Sequence, residues 1–148
     1  MNRISKSFRR GKMIIVSLMG GDPGPAASEA FVISLLDAGA DMAIIGIPFS
    51  DPAAESPAQQ KAHLRAIQAG TDTSSLFDLA RRLRQKTDKP LLFQTYLNPI
   101  FHYGYQLFFS DCREVGIDGV IPLDLPYEER HQLLPHARSY GVDLIPIV

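Results

Sequence analysis

Three times along this 148-residue chain a helix-like stretch runs into Gly-x-Asp and then directly into an apolar run: Ala38-Gly39-Ala40-Asp41, Val115-Gly116-Ile117-Asp118 and Tyr140-Gly141-Val142-Asp143. Glycine supplies the left-handed residue that closes a helix, and the short link then feeds a strand. Helix, tight loop and apolar strand in repeated succession mean parallel strands joined by crossover helices. Hydrophobic periodicity extends the alternation over the whole chain. Strands are predicted over 14–18, 42–47, 91–96, 119–123 and 142–148, and helices over 26–38, 58–69, 73–86, 105–115 and 128–139. The run MAIIGI, apolar throughout, reads as a strand buried on both faces. Residues 1–12 read as an amphipathic helix, because no apolar segment with a small-residue cleavage site follows.

Two arrangements satisfy this order, a doubly wound open sheet and a (β/α) barrel. No G-x-G-x-x-G follows the first strand, and Pro23 and Pro25 in the Gly/Pro-rich turn at 19–25 remove donors that a phosphate cradle needs, which disfavours a dinucleotide site. Polar residues stand just after successive strands: Asp22, Asp51 and Glu55, Asn98, and Asp124. In a barrel they gather at one rim, where catalytic loops sit. The expectation is therefore an α/β chain of TIM (β/α)8 type, truncated to about five βα units with a leading helix, over 1–148 as a single incomplete barrel domain. Five strands leave the first and fifth as open edges, so association is expected.

The richest segment for chemistry is 44–57, IIGIPFSDPAAESP, a buried strand ending in a polar loop. Pro48, Pro52 and Pro57 stiffen it, and it carries the carboxylates Asp51 and Glu55. Glu55 is the first candidate for catalysis or substrate orientation. Asp51 reads as a structural residue that caps local N–H groups. Tyr96 either lines a pocket or sits in the core with its hydroxyl satisfied. Asn98 before Pro99 reads as a turn, and Asp124 as a residue that orients neighbouring loops.

Other chemistries find little support. The formal net charge of −1 offers nothing to nucleic acid or an anionic membrane, and no apolar run reaches the ~18–20 residues needed to span a bilayer. The lone Cys112 permits no internal disulfide and suits a reducing, cytoplasmic setting, with a packing role on an amphipathic helix. His63, His102, His131 and His136 share no metal-binding spacing, so no metal is expected.

Several segments together carry a resemblance to a known family. The opening MNRISKSF with GK after it, the turn GDPGP, LLDAGADMAIIGIPFSDPAAESP, QKAHLRAIQAGT, TYLNPIFHYG, GIDGVIPLDLPYEE and HARSYGVDLI all resemble the tryptophan synthase alpha subunit family, over essentially the whole chain. The resemblance implies a lyase of tryptophan biosynthesis that splits indole-3-glycerol phosphate into indole and glyceraldehyde 3-phosphate. It implies no cofactor, and it implies a pyridoxal-phosphate-dependent beta subunit as partner. The family's proton-shuttling glutamate, two residues before the Gly of GIPFSDP, falls on Ile44, which can neither give nor take a proton. The acidic residue that holds the indole N–H falls on Glu55. Ser17 stands where the family has an aromatic lining residue, Gln94 where it has an apolar one, and Ser56 where it usually has Gly. Tyr96, Gln94 and Ser17 are the implied substrate-binding positions, and Asp51, Asn98 and Pro99 the partner-facing ones. The family's phosphate-holding glycines map beyond Val148. The expectation is thus a family member inactive as a lyase as it stands, with a non-catalytic partner of a beta-type subunit, or a gene remnant, as the alternatives.

Overall fold

Five parallel strands lie side by side in chain order, β1-β2-β3-β4-β5, in the computed structural model, which describes residues 2–9 and 11–147. They are β1 (Ile15–Met19), β2 (Met42–Gly46), β3 (Leu91–Thr95), β4 (Gly119–Pro122) and the short β5 (Asp143–Leu144). A doubly wound sheet reverses its strand order at a switch point. This sheet never does, which decides between the two arrangements in favour of the barrel. Among the described residues β1 pairs only with β2, and β5 only with β4.

The helices are α1 (Arg3–Phe8), α2 (Pro25–Asp37), α3 (Pro57–Gln68), α4 (Thr73–Arg84), α5 (Leu97–Tyr103), α6 (Tyr105–Val115) and α7 (Leu134–Tyr140). Helix α4 shows why such segments coil and dock. Asp72 and Ser75 form a reciprocal capping box at its start, and Leu76, Phe77, Leu79, Ala80 and Leu83 form one buried face. Arg81, Arg82 and Arg84 fill its last turn, where cations favour the dipole. The Gly-x-Asp links behave as the sequence indicates, with φ of 117°, 83° and 66° at Gly39, Gly116 and Gly141.

Side-chain alternation divides the interior into two layers. Outward-facing residues such as Ala43, Ile45, Leu91, Phe93 and Val120 join the large core beneath the helices. Inward-facing Met42, Leu92 and Ile121 form a smaller cluster with Ile4 of α1, against which Met13, Ile44 and Ile145 pack. Helix α1 thereby covers the N-terminal end of the sheet. Gly119 makes this possible: a Cβ there would lie 3.2 Å from both Ile4 Cδ1 and Ile145 Cδ1.

The elements differ from the expected ones at four places. The N-terminal helix occupies only Arg3–Phe8 of the expected 1–12, within which Met1 and Arg10 lie outside the described residues. Asn98 and Pro99 make no turn; they lie in the first turn of α5, where the proline's missing N–H has no intrahelical partner to lose. The helix expected over 128–139 is a 3-10 helix (Tyr127–Gln132) followed by α7, because Pro135 cannot donate the bond that would join them. The last strand holds two residues and not the expected 142–148, of which Val148 lies outside the described residues.

Charge ties α2 to α4. Glu29 accepts from Arg82 Nε at 2.7 Å and from Lys86 Nζ at 2.7 Å. The Lys86 hydrogen bond, followed by that of Arg82, holds its carboxyl below the ordinary glutamate value of 4.5. A depressed folded-state pKa gives stability that is complete above the unfolded value and fades as pH falls through the folded one. Glu29→Gln is accordingly expected to be less stable than the native chain at neutral pH. The two should converge in denaturant titrations as pH falls below the folded-state value. A difference that persists undiminished in acid would contradict this linkage.

Candidate ligand-binding site

Where β1, β2 and β3 end, their inward residues and the first turns of α3 enclose a cleft of about 340 Å³. Ser17 and Met19 come from β1, Gly46 from β2, Gln94 from β3, Glu55 from the proline-stiffened loop and Gln59 from α3. Register explains the grouping. Ser17 pairs with Ile44, Met19 with Gly46, and Gly46 with Gln94. These residues share one face of the pleat at two successive levels.

Ile44 sits one level below Gly46, between Ser17 and Leu92, packed against the inner apolar cluster. The strand gains burial from this residue, and the cleft gains no proton donor or acceptor.

The loop that delivers Glu55 is fixed at both ends. Ser56 is the N-cap of α3, in a reciprocal capping box with Gln59 and with Pro57 in the first turn. Its side chain accepts from Gln59 N at 3.4 Å, and Gln59 Oε1 accepts from Ser56 N at 3.1 Å. On the opposite side of the cleft, Arg65 of α3 grips Asp22 with two bonds of 2.8 and 2.6 Å, tying the loop after β1 to α3.

The Glu55 side chain is only 6% exposed, and its neighbours account for that. Oε2 accepts from Tyr96 Oη at 3.1 Å and meets His63 Nε2 at 2.5 Å. Tyr96 in turn accepts from the Ala54 N–H at 3.1 Å, and His63 Nδ1 accepts from the Phe49 N–H at 2.9 Å. Burial pushes the Tyr96 phenol above its ordinary pKa, which keeps it a donor toward the carboxylate. Phe49 stacks on Tyr96 with ring centroids 5.2 Å apart.

Ser17, Gln94 and Glu55 are thus brought together, while the remaining candidates fall elsewhere. Tyr96 is 3% exposed and reaches the cleft through its hydrogen bond to Glu55. Asp51 is exposed, accepts from Ser50 Oγ at 2.8 Å and, among the described residues, caps no backbone N–H. Asn98 is exposed on α5 and Pro99 half-buried beside it. Asp124 accepts the Leu97 N–H at 2.7 Å and so caps α5. Among the described residues no group of three or more His, Cys, Asp or Glu side chains could hold a metal. Cys112 is fully buried, and burial pushes its thiol well up. None of the helices is long and apolar enough to cross a membrane.

His63 is the site residue that sequence reasoning missed. Its only local signal was the Ser56-x-x-Gln59 pattern after the acidic loop, which sets the phase of α3 and turns His63 and Ala66 inward. Its pairing with Glu55 is a tertiary contact.

A parallel sheet in chain order, with helices outside and a carboxylate-bearing cleft at the C-terminal ends of its strands, defines a TIM-barrel protein with a small-molecule site. The model of the family "Tryptophan synthase alpha chain" matches residues 5–148. The tryptophan synthase alpha chain of Lacticaseibacillus casei is 38% identical over 148 residues, covering 100% of this chain and 56% of that protein. The crystal structure of tryptophan synthase subunit alpha from Legionella pneumophila superposes with a TM-score of 0.94 at 36% identity, covering 97% of this chain and 57% of that one. The tryptophan synthase complex of Pyrococcus furiosus gives a TM-score of 0.85 at 31% identity, over 89% of this chain and 55% of that one. The chain belongs to the tryptophan synthase alpha chain family, and it spans a little over half the length of the curated relatives it matches.

Proposed function

We propose that this chain carries the indole-binding side of a tryptophan synthase alpha-type site and does not perform the cleavage. The observation that carries the reading is the pairing of Glu55 with Ile44. A carboxylate braced to accept a ring N–H lies at the cleft, while the strand position of the general acid/base is aliphatic. Retro-aldol cleavage of indole-3-glycerol phosphate needs a proton delivered to the ring carbon and one taken from a glycerol hydroxyl. Glu55 supplies one acceptor, and Ile44 supplies nothing. No metal or organic cofactor enters this reading. Binding is open to direct measurement because the chain contains no tryptophan, so indole fluorescence reports on the ligand alone. Indole is expected to bind saturably, and Glu55→Gln to weaken it about tenfold, the scale of a lost hydrogen bond to a charged group. Identical binding curves for the two proteins would remove Glu55 from the site.

A second reading, docking onto a beta-type subunit, is favoured by the surface beside the cleft. Asp51 and Asn98 are exposed there, and Phe101 of α5 is 65% exposed. The partner-facing positions Asp51, Asn98 and Pro99 belong to this reading, as do the loop 51–57 and the segment 98–103. Co-sedimentation with a beta subunit, lost on Phe101→Ser, is the expected result; sedimentation of the two as separate species would refute it.

A further inference from the structure

Both ring nitrogens of the buried His63 are engaged, and each engages a different end of the acidic loop. Nδ1 accepts the Phe49 N–H at 2.9 Å, where the chain leaves β2. Nε2 faces Glu55 Oε2 at 2.5 Å, where the chain enters α3. Because Nδ1 must offer its lone pair to an amide, the proton of the neutral ring resides on Nε2 and is donated to the carboxylate. The imidazole is 3% exposed and lines no part of the cleft, so it does not touch a ligand. Tyr96 supplies the second donor to the same oxygen. Glu55 Oε2 is therefore occupied twice, whereas Oε1 takes no hydrogen bond among the described residues, and Glu55 borders the cleft.

We propose that His63 is a positioning residue that, with Tyr96, holds Oε2 of Glu55 and so offers Oε1 as the single acceptor for one N–H of a planar heterocycle in the cleft. The ligand class rests on the function proposed above; the hold on Glu55 does not. An apolar side chain would fill the same space on α3, but it would leave the Phe49 N–H unpaired and let the carboxylate turn. Spanning Phe49 to Glu55, the imidazole also closes the three-proline loop on itself, and the glutamate direction is set before a ligand arrives. Such preorganisation raises affinity by removing an ordering cost from binding.

Two isosteres separate orientation of Glu55 from simple stapling of the loop. His63→Asn keeps an acceptor near the Nδ1 position for Phe49 and loses the donor to Glu55. His63→Gln keeps an N–H near the Nε2 position and loses the acceptor. Indole is the probe, with thermal unfolding of each variant as the check on folding. A positioning role predicts that His63→Gln binds indole nearly as the native chain does and that His63→Asn binds about tenfold more weakly. Retention by Asn with loss by Gln, or equal affinity in all three proteins, overturns it. Ring 15N spectra of the native chain give the ligand-independent readout. The expected result is an Nε2–H tautomer held in place; an Nδ1–H ring, or one exchanging tautomers freely, overturns the proposal. Should the native chain fail to bind indole while its ring shows the fixed Nε2–H tautomer, the ligand reading falls and the hold of His63 on Glu55 stands.

Discussion

Supplied with indole-3-glycerol phosphate, a protein carrying this chain is expected to release indole at least ~10²-fold, and up to ~10⁴-fold, more slowly than a relative with glutamate at the Ile44 position, the range typical of losing one general acid/base. Ile44 lies between Ser17 and Leu92 in register, on the inner face of the sheet, against Met42, Leu92 and Ile121. At the cleft Glu55 already takes two hydrogen bonds on Oε2. Under the proposed reading Glu55 accepts a ring N–H through Oε1. The strand itself favours the aliphatic residue. Ile44→Glu would set a carboxylate in a half-buried apolar cluster, and chemical denaturation is expected to register a loss of about 1–3 kcal/mol. Indole release at a rate comparable to that of an intact relative would show that another group performs the transfer.

Asp118→Ala is expected to remove about 3–5 kcal/mol of stability, the cost of leaving a buried charge without its partner. Asp118 stands at the N-terminal end of β4, its side chain only 6% exposed. Oδ2 accepts from Arg84 Nη2 at 2.8 Å and from the Leu91 N–H at 3.0 Å, while Oδ1 accepts from Arg3 Nη1 at 3.0 Å. One carboxylate thus joins α1, α4, β3 and β4. Arg84 also donates to the carbonyls of Gly116, Thr87 and Lys89. Burial lowers the Arg84 pKa, and Asp118 opposes that shift. Without the aspartate, the guanidinium stays buried and the Leu91 amide loses its acceptor. Arg81→Ala provides the contrast. Its bonds to Asp78 and Glu114 join side chains 48–68% exposed, and exposed pairs are worth about 0–1 kcal/mol. Denaturation curves giving equal losses for the two variants would mean that the Asp118 network contributes no more than a surface pair.

The three aspartates of the Gly-x-Asp links show what local pattern conveys and what it leaves open. Spacing marks each as the residue that leads into a strand; Asp41 and Asp118 stand just before β2 and β4, and Asp143 is the first residue of β5. Asp118 becomes the buried centre of a network. Asp41 accepts the Ile14 N–H at 2.9 Å, and Asp143 accepts from the Asn2 side chain. Identical local signals acquire different weights because their partners lie 27 to 141 residues away in sequence. Helix α5 is the opposite case. Asn98-Pro99 suggests a turn from local preference, yet Asp124, from the loop after β4, caps Leu97 and a helix starts there.

By itself the sequence determined the order and type of nearly every element and the parallel character of the sheet. These follow from hydrophobic period, helix-ending glycines and loop chemistry, all of them short-range properties of the chain. The motifs also pointed to the family and to Ile44 as the position without its carboxylate. Tertiary structure decided the rest. It confirmed the barrel strand order, turned Asn98-Pro99 from a turn into the first turn of a helix, and set His63 against the carboxylate of Glu55. Each of those outcomes depends on which strands become neighbours and which side chains then share a buried volume. Sequence spacing does not encode distance between segments brought together only by strand pairing and helix docking, and buried hydrogen bonds form only once that packing excludes water.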